Sequence, residues 1–189
     1  MNNIISLVKN EVLEEIDNYK KNASDHYDFW EEHIKYVYQE SRLLAKKYNA
    51  NIKIVSLGAL LHDIALIKKV GDRSDHHVNG AILGREILEK YTKDIELIDK
   101  VCGCIYNHRS SKNATNIEEL CVGDADILAH FDNIPMLFNS AFNRHKLNLI
   151  DAKEWIRKVF EKDYNDLSKE TKKVFKEKYK EIYNVIFHK

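Results

Sequence analysis

Apolar residues recur at spacings of three and four along almost the whole chain, and no alternating apolar–polar run replaces them. That periodicity belongs to helices that each bury one face. One proline and six glycines in 189 residues leave few breakers to interrupt it. A turn-rich β-sandwich and a collagen-like chain are excluded on that ground. The pattern predicts helices over residues 2–20, 28–48, 52–67, 76–90, 94–108, 116–132, 151–164 and 169–187, with a further start at Asn133 followed by Pro135. Expected caps are Asp75, Asp94, Thr115 with Glu118, Asp151 with Glu154, and Ser168. Loops are expected at 21–27, 49–51, 69–75, 109–115 and 165–168. The chain therefore reads as one compact all-α domain over residues 1–189, with the last two helices as a flank.

Hydrophobic residues at 44% supply a core, and 32% charged residues keep its surface wet. Thirty basic residues against thirty acidic ones give no net charge. A protein that coats a nucleic-acid duplex would show a basic excess. No segment approaches the roughly 18 unbroken apolar residues of a membrane span. The first residues carry acids and no apolar centre, so no signal peptide is expected. With that reading Cys102, Cys104 and Cys121 are reduced thiols of a cytoplasmic protein. Cys102-Gly-Cys104 lacks a second nearby pair and reads as core packing, not as a zinc knuckle.

The helix over 52–67 is apolar on most sides, yet it carries Leu60-Leu61-His62-Asp63-Ile64. A buried carboxylate without a partner is costly. Neighbouring residues on a helix point about 100° apart, so His62 and Asp63 grip one ion only beside a helix end or bend. Other groups can complete such a site: His33 on the preceding helix, His76, His77 and His108 at helix ends, and Asp126 on a later apolar helix. Imidazole with carboxylate suits Mn, Fe, Co, Ni or Zn. Taken singly, each histidine is more often a core or surface residue; only the joint arrangement speaks for a metal.

The order His33, His62-Asp63, Asp126 resembles the H…HD…D signature of the HD-domain metal-dependent phosphohydrolase superfamily. His76-His77-Val78-Asn79-Gly80-Ala81 is similar to that family's H-x-x-x-G-A turn into a helix. Ile105-Tyr106-Asn107-His108 resembles its later single-histidine motif, and Asp124-Ala125-Asp126 its DAD element. The resemblance covers about residues 26–145, with the helices of about 150–188 packing on that core. It implies a helical bundle with a metal site in a central cleft. His33, His62, Asp63 and Asp126 would hold one divalent transition ion, with magnesium also admitted. His76 and His108 would hold a second ion through a bridging Asp63, or touch substrate phosphate. His62 and Asp63 are then the expected catalytic residues. His77, Lys68, Arg73 and Arg109 are expected at the substrate, as is Lys112 near the mouth.

The departures narrow the branch. Ile64-Ala65-Leu66 follows the dyad in place of I-G-K, and no Gly-Tyr-Pro element follows, so a cyclic-dinucleotide phosphodiesterase is unsupported. The expected activity is hydrolysis of a nucleotide or another small phosphate ester, with no duplex and no membrane as partner. An HD-fold di-iron oxygenase and a non-catalytic metal or nucleotide sensor are the alternatives. Asp124 is expected to orient a ligand. His26, His130, His145 and His188 read as structural or surface groups. The C-terminal aromatics, among them Trp155, Phe160, Phe175 and Tyr179, either cover the bundle or join a second subunit as a homodimer.

Overall fold

The computed structural model describes residues 3–24 and 27–187, and His26 and His188 lie outside them. Ten α-helices follow in order among the described residues, with no strand. They are α1 (Asn3–Asn22), α2 (Lys35–Tyr48), α3 (Ile52–Leu61), α4 (Ile64–Ile67), α5 (His76–Tyr91), α6 (Ile95–Asn107), α7 (Ile117–Asp132), α8 (Ile134–Asn139), α9 (Leu149–Asp166) and α10 (Lys169–Phe187). Short π-helical turns precede α2 (Trp30–Ile34) and follow α8 (Ser140–Arg144).

Helix α3 is the axis of the bundle. Every residue from Ile54 to Leu61 is buried, because α1, α2, α6 and α7 all pack against it. A helix apolar all round can exist only in such a position. Gly58 permits the close approach of α6 and α7: a Cβ there would meet the Cys104 Cβ at 2.7 Å and Val122 at 3.3 Å. Cys104 and Cys121 are buried in the core, and the half-buried Cys102 thiol donates to the Ala81 carbonyl at 3.4 Å.

Two expected features differ. The helix over 52–67 is broken at His62-Asp63, so α3 and α4 are separate elements. Several caps are also displaced. Asn116, not Thr115, opens α7 by accepting from the Glu119 N–H at 3.0 Å, while Glu119 reaches back to the Thr115 N–H at 2.7 Å. Asn148 opens α9 in place of Asp151, accepting from the Ile150 and Asp151 amides. Asp75 precedes α5 without a side-chain bond to it. Asp94 caps α6 as expected, accepting from the Leu97 N–H at 3.0 Å.

The C-terminal pair covers the bundle. Phe131 of α7 meets Phe160 of α9 at 4.7 Å and Phe175 of α10 at 5.0 Å between ring centres. The fully buried Asp124 fixes the start of α10. Its carboxylate accepts from the Ser168 N–H at 2.8 Å, the Ser168 hydroxyl at 2.5 Å and the Ser111 hydroxyl at 2.6 Å. The expectation that Asp124 orients a metal ligand is corrected by these bonds: it is a strut between helices.

Asp124→Ala would leave an amide and two hydroxyls without their acceptor in a dry site. A loss of about 3 kcal/mol is expected, read as a lower urea midpoint at unchanged slope and unchanged metal content. An unaltered midpoint would remove the strut.

Candidate metal centre

Five elements converge on one point. His33 comes from the π turn before α2. His62 closes α3, and Asp63 stands in the break before α4 at φ −103°, ψ 15°. That bridge region of backbone space is sparsely populated and recurs at active sites. His76 is the first residue of α5, His108 follows the last turn of α6, and Asp126 projects from the middle of α7. The break aims two adjacent side chains at one site, which a continuous helix would splay apart. The π turn at His33, a form often found at functional sites, had no signal in the apolar spacing.

The Asp63 carboxylate divides the cluster. Its Oδ2 lies 3.8 Å from His33 Nε2 and 3.6 Å from His62 Nε2. Its Oδ1 lies 3.4 Å from His76 Nε2 and 3.9 Å from His108 Nε2. Within the pairs, His33 and His62 bring their Nε2 atoms to 3.1 Å, and His76 and His108 to 3.0 Å. Asp126 Oδ1 joins the first pair, 2.9 Å from His33 and 3.7 Å from His62.

Backbone carbonyls decide what these rings can do. His62 Nδ1 faces the Ala59 carbonyl at 2.8 Å, His76 Nδ1 the Arg73 carbonyl at 2.7 Å, and His108 Nδ1 the Ile105 carbonyl at 2.6 Å. A carbonyl only accepts, so each Nδ1 carries the proton and each Nε2 offers a lone pair. With the Nδ1 protons so placed, the Nε2 atoms of His76 and His108 face each other at 3.0 Å, a spacing that a shared proton or a bound cation satisfies. Holding the far nitrogen by hydrogen bond is also how ligating imidazoles are oriented. The donor set therefore fits a metal: His33, His62 and Asp63 form one group, and Asp63, His76 and His108 another, with ligand atoms within 4.8 Å of one another.

The titration behaviour agrees. Burial first, and then the neighbouring His62, bring the His108 imidazole down to about 4 against the opposing pull of Asp126 and Asp63, so the ring is neutral. Burial alone would raise the Asp63 carboxyl, but His62, His33 and His108 outweigh it and hold it low. Asp126 is held well below the usual carboxylate range against its own burial, chiefly by the hydrogen bond from His33.

One residue of the site escaped the sequence reading. His130 stacks on His33 with ring centres 5.7 Å apart, and its Nδ1 lies 2.8 Å from the buried Asp163 of α9. With His33 and Asp126 it forms a third group of metal-binding type. The available signal was its place four residues after Asp126, hence on the same face of α7. His145, also expected to be structural, pairs with the Trp155 ring at 4.8 Å.

A cavity of about 910 Å³ opens beside the cluster and is lined by His33, Asp63, His130 and Asp163, among others. Of the expected substrate groups, Arg73 lines it. Lys68 instead pairs with Glu15 of α1, and Lys112 lies 2.5 Å from Asp166. The Arg109 guanidinium donates to the Ser74 carbonyl at 2.6 Å. His77 stands beside His76 and against Tyr106, its pKa lowered first by burial and then by Arg109.

Comparison with known proteins supplies the context. Residues 30–130 match the family model described as HD domain. The chain is similar to a protein of Thermoplasma volcanium (strain ATCC 51530) described as a tRNA (cytidine(56)-2'-O)-methyltransferase, 32% identical over 153 residues that cover 75% of this chain and 43% of that one. A protein of Picrophilus torridus (strain ATCC 700027) with the same description is 28% identical over 157 residues, 73% of this chain and 44% of its own. The chain thus spans less than half the length of these curated relatives. No solved structure matches it.

The His130–Asp163 pair makes stability depend on pH. Burial works against the charged imidazole, but the Asp163 hydrogen bond and charge prevail and raise its pKa above 6.5. A group raised on folding stabilises fully below its unfolded pKa, and that contribution is lost as pH rises through the folded value. In chelator-treated protein, His130→Asn should therefore lower the thermal midpoint at about pH 6 and progressively less toward about pH 9. A difference independent of pH would refute the raised imidazole.

Proposed function

The chain belongs to the HD domain family, and from that premise we propose that it is a metal-dependent phosphohydrolase acting on a nucleotide or another small phosphate ester. The observation that carries the reading is the Asp63 carboxylate set between two histidine pairs, 3.4–3.9 Å from four Nε2 atoms. His33, His62, Asp63 and Asp126 would hold one divalent ion; His76 and His108, with Asp63 shared, would hold a second. Bound there, such ions lower the pKa of water and offset charge on a phosphoryl oxygen.

The chain's own residues do the rest. His62 and Asp63 would act as catalytic residues by offering an imidazole nitrogen and a carboxylate oxygen, 3.6 Å apart, to the same ion. The carbonyls of Ala59, Arg73 and Ile105 keep three rings in the tautomer that offers Nε2 inward. Asp63 faces the cavity, where substrate and water arrive, and Arg73 lines the same space. The His130 imidazole, held by Asp163, stands at the wall next to His33.

The relatives' printed description concerns proteins of which this chain covers less than half. The inward lone pairs and the Asp63 carboxylate between the two histidine pairs support the hydrolytic reading. The same donors could serve a di-iron oxygenase, which oxygen consumption would reveal, or a sensor, which would bind a phosphate ester without turning it over.

Metal analysis of protein purified without chelator checks the ligand assignment. Asp63→Asn should lose both ions, whereas His76→Ala or His108→Ala should lose about half the metal and leave the rest. Full occupancy in all three variants would reject the assignment.

A panel of nucleotides and sugar phosphates checks the reaction. Phosphate or nucleotide release should vanish with chelator and return with Mn, Co or another transition ion. Asp63→Asn should lower it by about three orders of magnitude or more. Metal-loaded protein that hydrolyses none of the panel would overturn the proposal.

A further inference from the structure

The cavity that meets the cluster at His33 and Asp63 extends to the turn after α8 and to α9, and that far wall is cationic. Arg144, Lys146 and Lys162 line it, with Arg73 contributing from the segment before α5. Lys162 lies 3.8 Å from Asp163 and 3.7 Å from Asp166 on its own helix. Among the described residues no carboxylate pairs with Arg73, Arg144 or Lys146. Cations that line a cavity without anionic partners have donors to spare for a ligand.

Tyr27 lines the same cavity as these cations and Asp63. Its ring lies 6.0 Å from the Arg144 guanidinium. After burial, the largest influences on its phenol include Asp63, which raises its pKa, and Arg144 and Arg73, which lower it. The phenol thus stands within the field of the inner carboxylate and of two arginines from separate segments. Half-buried Trp155, paired with His145, gives the same space an apolar side. About 910 Å³ lies toward the upper end of small-molecule sites and exceeds what one short phosphate ester fills.

We propose that Arg144, assisted by Arg73 and Lys146, binds a second anionic group of the ligand, so that the natural substrate is a bis-anion spanning the cavity. One phosphoryl group meets the His/Asp cluster and the other meets the arginines. The assignment of the first end rests on the phosphohydrolase reading; binding at the second end does not require turnover. Guanidinium suits this task because its planar fork donates two parallel bonds to one phosphate.

The test uses alkylphosphonates and α,ω-alkane bisphosphonates on linkers of increasing length, whose C–P bonds resist a phosphate-ester hydrolase. Binding to metal-loaded protein is measured by titration calorimetry. At the matching linker length, the bisphosphonate should bind about tenfold or more tighter than the monophosphonate of equal chain length. Arg144→Gln should erase most of that advantage while monophosphonate affinity and metal content stay as they were. Arg144 is solvent-exposed, so its replacement leaves the core intact. No advantage at any linker length, an advantage that Arg144→Gln leaves untouched, or an equal loss for the monophosphonate would each overturn the proposal. Because no probe is hydrolysed, a failed phosphatase panel and a failed second site give different results.

Discussion

The organisation of the molecule turns on one carboxylate. Asp63 sits between two pairs of imidazoles, with a different oxygen toward each. Taking a carboxylate out of water is expensive, and here the surrounding rings keep it ionised against its burial. The rings in turn are fixed by carbonyls, those of Ala59 and Ile105 near the C-terminal ends of α3 and α6 and that of Arg73 in the turn before α5. Each is a bond from the histidine to the residue three positions earlier. A helix terminus leaves its last carbonyls without intrahelical donors, so His62 and His108 satisfy their own helix ends while setting their tautomers.

That coupling explains why the bundle is built around an interrupted helix. A continuous α3–α4 would have kept its backbone bonds but turned Asp63 away from His62. The interruption costs little, because α4 resumes at once: the Leu66 and Ile67 amides donate to the Asp63 carbonyl at 2.9 and 3.1 Å. The neighbouring helices supply the confinement. Asn133, at the end of α7, donates from its side chain to the Glu32 carbonyl at 2.7 Å, tying the π turn of His33 to the helix that carries Asp126. Two ligands distant in sequence are thereby held by one hydrogen bond next to both.

Much of this was legible in the sequence, and the reason is periodicity. Apolar spacing marked the long helices because each buries one stripe, and the 52–67 segment, apolar on most sides, marked the central one. The adjacency of His62 and Asp63 made a helix end or bend the condition for gripping one ion, yet apolar spacing ran on through 52–67 and hid the break itself. What stayed hidden depended on partners far along the chain. His130 reads as an isolated surface histidine until α9 brings Asp163 to it. Asp124 reads as a companion of Asp126, yet its partners are Ser111 and Ser168. Lys68 reads as a mouth residue until α1 presents Glu15. The caps moved by a residue or more because asparagine side chains at 116 and 148 won the competition for the first free amides.

The cluster is also asymmetric in its access, and that bears on which end of it does chemistry. His33 and Asp63 line the cavity, as does His130. His62 is closed from solvent, and His108 almost so. A ligand entering the cavity therefore meets the first imidazole pair through His33 and meets the second through the Asp63 carboxylate. The outer side is suited to contact with the reacting group, since His33, Asp63 and His130 are there together. Burial closes His62 and His108 off from the cavity, so a ligand there meets the residues along the cavity wall.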